Sequence, residues 1–154
     1  MIESPCRKVN LKHVNDAEYK RRSIGCLILS QNRRIVLQQR DSDAPTFPDY
    51  IATFGGGVET GESPIQALTR ELNEELGAII SPDDVISLGA ISEPETNHTT
   101  LVYMYFWHDK HGSITGCYEG TAKYINDPII LDKYPKVMND VIWSIQECKK
   151  LQLL

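Results

Sequence analysis

The chain has 154 residues, of which 41% are apolar and 24% are charged, so one soluble domain spanning residues 1–154 is expected. Its formal net charge of −5 argues against a nucleic-acid polymer or an anionic membrane surface as partner. An anionic ligand such as a phosphate would need a metal ion or local Arg and Lys side chains to enter this acidic protein.

Two further features bear on the compartment. The first ten residues contain no apolar core segment, so no secretory signal is expected, and the longest apolar run, Leu101–Trp107, is too short to span a bilayer. The four cysteines are widely separated and form no C-x-x-C pair, which favours free thiols in a reducing cytosol over a zinc site. A cytoplasmic location is therefore expected.

The first half of the chain is rich in predicted strands. A short strand is expected around Arg7–Val14, and a hairpin is expected from Arg22–Ser30 and Arg33–Gln39 around a Gln31-Asn32 turn. Residues 40–49 contain two prolines and read as a loop. A short strand, 50–54, then leads into three consecutive glycines, which permit positive φ and close approach of the backbone to a ligand.

An amphipathic helix follows the glycines. Ser63 is the expected N-cap and Pro64 the first helical residue. Gly77 ends the helix as a C-terminal glycine does. The core-facing stripe comprises Ile65, Leu68, Leu72 and Leu76.

The second half alternates between strands and a final helix. Strands are predicted at Val85–Ser92, Thr99–Trp107 and Gly116–Ile125, and a helix at Pro135–Lys150. Strands outnumber helices and the two helices lie far apart in sequence. The natural arrangement is an α+β fold or an α/β/α sandwich with two main helices and a mixed sheet.

Three carboxylates cluster on the first helix. Glu71, Glu74 and Glu75 lie at positions i, i+3 and i+4, which share one helix face. Like charges at this spacing destabilise a helix by a few tenths of a kcal/mol per pair, and a divalent cation would offset that cost. Oxygen ligands without nearby His or Cys indicate Mg²⁺ or Mn²⁺, and such a cation suits hydrolysis of a phosphate anhydride. The alternative is a solvated acidic helix with an ordinary Arg70–Glu74 pair.

This stretch resembles the signature of the Nudix hydrolases. Gly56, Glu62 and the segment Arg70–Gly77 fill every fixed position of that pattern at the required spacing. One departure is Ala78, where the family usually has a larger aliphatic residue. The segment Ile35–Asp41, followed by a proline-containing loop, is also similar to the usual approach to the motif.

The resemblance implies roles for individual residues. It implies metal ligation by Glu71, Glu74, Glu75 and the Gly56 carbonyl, and a supporting salt bridge between Arg70 and Glu62. The general base would be Glu71 or Glu75, or else an acid on another loop. The loop Gly55, Gly56, Gly57 would shape the approach of the phosphates.

Two residues outside the motif are candidates with open alternatives. Glu119 resembles an additional acidic metal ligand, or is a solvated glutamate at a strand end. Arg40 is either a phosphate contact or a surface arginine.

The expected function is Mg²⁺-dependent hydrolysis of the diphosphate linkage in a small nucleoside diphosphate derivative. Candidate substrates are a (deoxy)nucleoside triphosphate, an oxidised one, ADP-ribose or a nucleotide sugar. The alternative is a Nudix-fold module that binds a nucleotide without turnover. The apolar tail, residues 151–154, would pack on the core or on a second subunit, so a homodimer is left open.

Overall fold

The computed structural model describes residues 4–154. Within this range the chain forms a mixed sheet and two α-helices. The strands are β1 (Arg7–Val9), β2 (Arg21–Leu29), β3 (Ile35–Gln39), β4 (Ile51–Ala52), β5 (Phe54–Gly57), β6 (Val85–Ser92), β7 (Thr100–His108) and β8 (Thr121–Ile125). The helices are α1 (Pro64–Leu76) and α2 (Asn139–Lys150).

The strands run in the order β1-β6-β7-β2-β3-β4, with β5 paired to β2 and β8 paired to β3. The long central pair β2 and β7 is parallel, whereas the other strand pairs of the sheet are antiparallel. The predicted hairpin is confirmed, because Leu29 of β2 faces Ile35 of β3 across the turn. The combination of one parallel pair with antiparallel pairs confirms the predicted mixed sheet.

A hydrophobic core lies on each face of the sheet. Successive side chains of β2 alternate between the faces, so that Cys26 and Ile28 pack with Leu68 and Leu72 of α1. On the other face, the core is formed by residues that include Leu27, Leu29, Val141, Ile145 and Cys148. The two helices cover opposite faces, which confirms the α/β/α sandwich.

Three predicted elements differ from the structure by more than two residues at one end. The strand predicted over residues 7–14 ends at Val9, since Asn10 begins a turn in which its carbonyl accepts from the His13 N–H. Helix α2 begins at Asn139 because residues 136–138 are extended and hydrogen-bond to Ile51 of β4 on both sides. The strand predicted over 116–125 begins at Thr121.

Residues 115–118, which precede β8, bind the end of helix α1. The N–H groups of Thr115 and Tyr118 donate to the carbonyls of Leu76 and Glu75, at 3.0 and 2.8 Å. These bonds satisfy carbonyls that the end of a helix leaves free. The segment before β8 is thereby held against the helix that carries the acidic cluster.

The end of the C-terminal tail, residues 151–154, packs against the core. Leu153 and Leu154 pack against the core beneath α2, which confirms one of the two expected positions of the tail, and a second subunit stays a prediction. All four cysteines are free. No helix in the described range combines the length and apolarity that crossing a membrane would require.

Candidate active site

Helix α1 begins and ends where the sequence predicts. The Ser63 hydroxyl accepts from the Gln66 N–H, and the Gln66 side chain accepts from the Ser63 N–H at 2.9 Å, which makes a capping box. Pro64 is the first helical residue. Gly77 takes the left-handed conformation with φ 64°, and its N–H donates to the Asn73 carbonyl. Both ends of the acidic helix are thus fixed by local sequence.

The three glycines before the helix do not form a loop. Gly55, Gly56 and Gly57 belong to strand β5 and pair with β2, so the prediction of a glycine loop is wrong for these residues. Their small size serves close packing: a Cβ at Gly55 would collide with the Ile24 carbonyl. The turn into α1 comes later, at residues 58–63.

Arg70 is held by a forked ion pair with Glu62. Its Nε and Nη2 donate to the two Glu62 oxygens at 2.8 and 2.9 Å, and Nη2 also donates to the Gly57 carbonyl at 3.0 Å. The hydrogen bonds from Arg70 lower the pKa of Glu62 to about 2. The predicted salt bridge is present, and it ties α1 to the turn that precedes it.

Glu71 lies between Arg70 and Gly56. Arg70 Nη1 donates to Glu71 Oε1 at 2.8 Å. The carboxylate sits against the Gly56 backbone so closely that a Cβ there would overlap Oε1 and lie 2.6 Å from Cδ. Burial raises the pKa of Glu71, and Arg70 opposes that rise. Gly56 is therefore required for the carboxylate to approach the strand.

Glu75 is buried, with 1% of its surface exposed. The Gly55 N–H donates to Oε1 at 3.0 Å, and the Gln38 amide donates to Oε2 at 3.3 Å. Burial, followed by the charges of Glu119 and Glu71, raises the pKa of Glu75 to about 9. Glu71 on helix α1 and Glu119 in the segment before β8 thus lie close enough to Glu75 for their charges to raise its pKa.

Glu74 and Glu119 are more exposed than Glu71 and Glu75. The Glu74 side chain is 59% exposed and its carboxylate lies 3.6 Å from Arg70 Nη1, on the outer side of the helix. Glu119 is exposed, in the loop that binds the end of α1, rather than at the end of a strand. In residues 4–154 no three side chains among His, Cys, Asp and Glu converge into a ready metal-binding group.

Arg40 faces the same region from the opposite side. Its guanidinium donates to the carbonyl and hydroxyl of Thr46, at 2.8 and 3.1 Å, and to Gln38 Oε1 at 3.4 Å. A cavity of about 200 Å³ lies beside it, lined in part by Asp41 and Glu119. The loop that follows β3 therefore forms one wall of an opening next to the acidic cluster.

Residues 19–125 match the model of the NUDIX domain. The chain belongs to the Nudix hydrolase family. Members of this family act on pyrophosphate bonds in nucleotide-containing substrates.

Named relatives and a solved structure agree with this assignment. A nucleoside triphosphatase NudI from Enterobacter sp. strain 638 is 33% identical over 95 residues, which are 56% of this chain and 67% of that protein. An RNA pyrophosphohydrolase from Halorhodospira halophila is 38% identical over 76 residues, 49% of this chain and 38% of that protein. The NUDIX domain of Shewanella oneidensis NrtR, solved with ADP ribose, has a TM-score of 0.66 at 16% identity, covering 92% of this chain and 96% of that one. The last match shows the fold alone.

Helix α1 carries carboxylate side chains, the type of ligand that a hard divalent cation binds. Its carboxylates are oxygen ligands of the kind that Mg²⁺ binds, and a bound cation would offset the burial and the neighbouring charges that raise the pKa of Glu75. Arg70 donates to one Glu71 oxygen, and within residues 4–154 the carboxylates do not converge on a common point.

The sequence pattern missed Gln38, which contacts Glu75, Arg40 and the Glu119 carbonyl. The available signal was a polar residue that continues the buried apolar run Ile35–Leu37. It also missed a second acidic group outside the Nudix motif, formed near the start of α2 by the buried Glu93 and Asp140 and the half-buried Glu95.

Proposed function

We propose that the chain hydrolyses the diphosphate linkage of a nucleoside diphosphate joined to another group. The products would be a nucleoside monophosphate and pyrophosphate or a phosphorylated second group. The observation that carries this proposal is the buried Glu75 carboxylate, held by neutral donors beside Glu71 and Glu119. Family membership supports the reaction class.

The proposed cofactor is Mg²⁺, with Mn²⁺ as an alternative. Glu71, Glu74, Glu75, Glu119 and the Gly56 carbonyl would hold it. When bound, the cation polarises a phosphoryl oxygen and lowers the pKa of a bound water. Arg70 supports the site from beneath, because its fork to Glu62 and its bond to Glu71 fix where the Glu71 carboxylate lies.

Glu75 is the proposed general base. Arg70 neutralises Glu71 at 2.8 Å, whereas a backbone amide and Gln38 hold Glu75 without donating a positive charge. Burial raises the pKa of Glu75, so its carboxylate, once ionised, is a strong base toward a water molecule, and its two fixed hydrogen bonds set the direction of its oxygens. Glu71 acts in this proposal as a ligand of the cation.

The substrate would enter from the side of Arg40. Its guanidinium faces the cavity near Glu119 and is the proposed phosphate contact, since an arginine fork matches phosphate oxygens. Gly55, Gly56 and Gly57 would let the phosphates approach strand β5 closely.

The net charge of −5 favours a small nucleotide over a nucleic-acid polymer, and free cysteines fit a cytoplasmic location.

A hydrolysis screen that separates nucleoside monophosphate, pyrophosphate and sugar phosphate from the substrate by chromatography tests this function. The purified chain would be incubated with Mg²⁺ or Mn²⁺ and nucleoside triphosphates, oxidised nucleotides, ADP-ribose, nucleotide sugars and dinucleoside polyphosphates. Cation-dependent release from at least one class is the expected result. Nucleotide binding without release from any class would contradict hydrolysis and favour a binding module.

A further inference from the structure

Gln38 is a buried polar side chain at a position where the strand is otherwise apolar. It is 2% exposed, and the preceding residues Ile35, Val36 and Leu37 of β3 are buried hydrophobic side chains. A buried amide is costly unless its polar atoms are hydrogen-bonded. The partners of Gln38 therefore indicate what its side chain does.

Those partners come from three separate segments around the proposed site. Gln38 Nε2 donates to Glu75 Oε2 on α1 at 3.3 Å and to the Glu119 carbonyl at 2.9 Å. Gln38 Oε1 accepts from Arg40 Nη1 at 3.4 Å. One amide thus links the proposed base, the segment that carries Glu119 and the proposed phosphate contact.

The orientation of this amide is determined by its partners. The Glu119 carbonyl can only accept and Arg40 can only donate, so the nitrogen must face Glu119 and the oxygen must face Arg40. Gly120 leaves room for this arrangement, because a Cβ there would lie 3.2 Å from Gln38 Cγ and 3.4 Å from Nε2.

We propose that Gln38 is a positioning residue of the active site. It holds one oxygen of Glu75 while the Gly55 N–H holds the other, and it fixes the segment that carries Glu119 at a set distance from the α1 carboxylates. The inference rests on the proposed function, because it gives Gln38 its role through Glu75 and Glu119.

Gln39 provides a matched control on the same strand. Its side chain points to the other face of the sheet, since adjacent strand residues alternate, and it donates to the Asp49 carbonyl at 2.9 Å. Gln38→Met and Gln39→Met each remove one side-chain amide at nearly constant volume. Only Gln38→Met removes a contact with Glu75, so the difference between the two variants measures that contact.

The experiment measures kcat and KM on the substrate found by the screen, thermal melting, and Mn²⁺ binding without substrate by electron paramagnetic resonance. For Gln38→Met we expect kcat to fall about tenfold, with KM within about twofold. We also expect weaker Mn²⁺ binding and a melting temperature close to that of the unmodified chain. Gln39→Met should match the unmodified chain in all four quantities. If Gln38→Met does not fold, Gln38→Asn replaces it, since its shorter amide cannot span Glu75 and Glu119, and the same results are expected.

The outcomes separate this inference from the proposed function. Unchanged kcat in Gln38→Met, with Glu75→Gln inactive, would overturn the positioning role alone. A lower melting temperature with unchanged kcat and Mn²⁺ binding would show a structural role and would also overturn it. If the unmodified chain hydrolyses nothing, the proposed function fails and Mn²⁺ binding decides: weaker binding in Gln38→Met than in Gln39→Met supports positioning, and equal binding overturns it.

Discussion

The Gly55 N–H donates to Glu75 Oε1 at 3.0 Å, joining the glycine strand directly to the acidic helix. Strand β5 and helix α1 therefore act as one unit, in which the backbone of one element fixes a side chain of the other. The same unit contains the contact between Gly56 and the Glu71 carboxylate. This geometry leads to separate predictions for the glycines, the arginine and the glutamates.

Gly56→Ala should displace Glu71. The added Cβ would overlap Oε1 and lie 2.6 Å from Cδ, so either the carboxylate or the strand must move. We expect a loss of about 1–3 kcal/mol in the free energy of unfolding, as for overpacked sites, and at least a tenfold loss in kcat. Denaturant unfolding and steady-state kinetics measure the two effects.

Gly57→Ala is the matched comparison for stability. The three atoms nearest to its Cβ would all belong to the Arg21 guanidinium, the first at 3.1 Å, and this end of a flexible side chain can move aside. The free energy of unfolding should change less than in Gly56→Ala. Equal losses in the two variants would show that the contact with Glu71 is not what requires glycine at position 56.

Arg70→Lys should weaken the site although it keeps the positive charge. Lysine cannot reproduce the fork that donates to both Glu62 oxygens while also reaching Glu71. We expect kcat to fall about tenfold and the free energy of unfolding to fall by about 1 kcal/mol. Arg34→Lys, at an exposed cation–π contact with Tyr124, should leave kcat unchanged. Equal kcat in Arg70→Lys and the unmodified chain would contradict a supporting role for the fork.

Local signals predicted part of this site and long-range contacts determined the rest. Ser63 and Gly77 were correctly assigned because capping depends on residues within one helical turn. Gln38 could not be assigned, because its partners Glu75 and Glu119 are 37 and 81 residues away.

The same limit applies to the fold. The strand order rests on the parallel pairing of β2 with β7, which alternation within each strand does not specify. Likewise, helical periodicity predicts that α2 begins at Pro135, whereas residues 136–138 are held extended by Ile51, an interaction that periodicity does not reveal.

The buried acids near the start of α2 should make stability depend on pH. Burial, with the charges of Asp140 and Glu95, raises the pKa of Glu93 to about 8, and Arg21 opposes this rise. Burial and Glu95 raise the pKa of Asp140 to about 6, against a hydrogen bond from Thr53. The native state therefore binds more protons than the unfolded state between the ordinary pKa values and about 8, so stability falls as pH rises through this range.

Glu93 is predicted to contribute a loss on the order of 2 kcal/mol in the free energy of unfolding between pH 6 and pH 9, and Glu75, whose pKa is raised to about 9, adds to the loss over the same range. Denaturant unfolding across this range measures it. Glu93→Gln should reduce the slope of the free energy of unfolding against pH. Asp83→Asn, at an exposed position in a short 3₁₀ turn, should leave that slope unchanged. A slope that is the same in Glu93→Gln and the unmodified chain would contradict the assignment to this group.

The central claim is that the Glu75 carboxylate is needed for turnover. Glu75→Gln keeps the size of the side chain and removes its negative charge, and Glu147→Gln on α2 is a control whose carboxylate pairs with Lys8 and Lys150 instead. With Mg²⁺ and the substrate from the screen, kcat of Glu75→Gln should fall to background while its circular dichroism and melting show a folded protein. Glu147→Gln should retain full kcat. Unchanged kcat in folded Glu75→Gln would contradict the central claim.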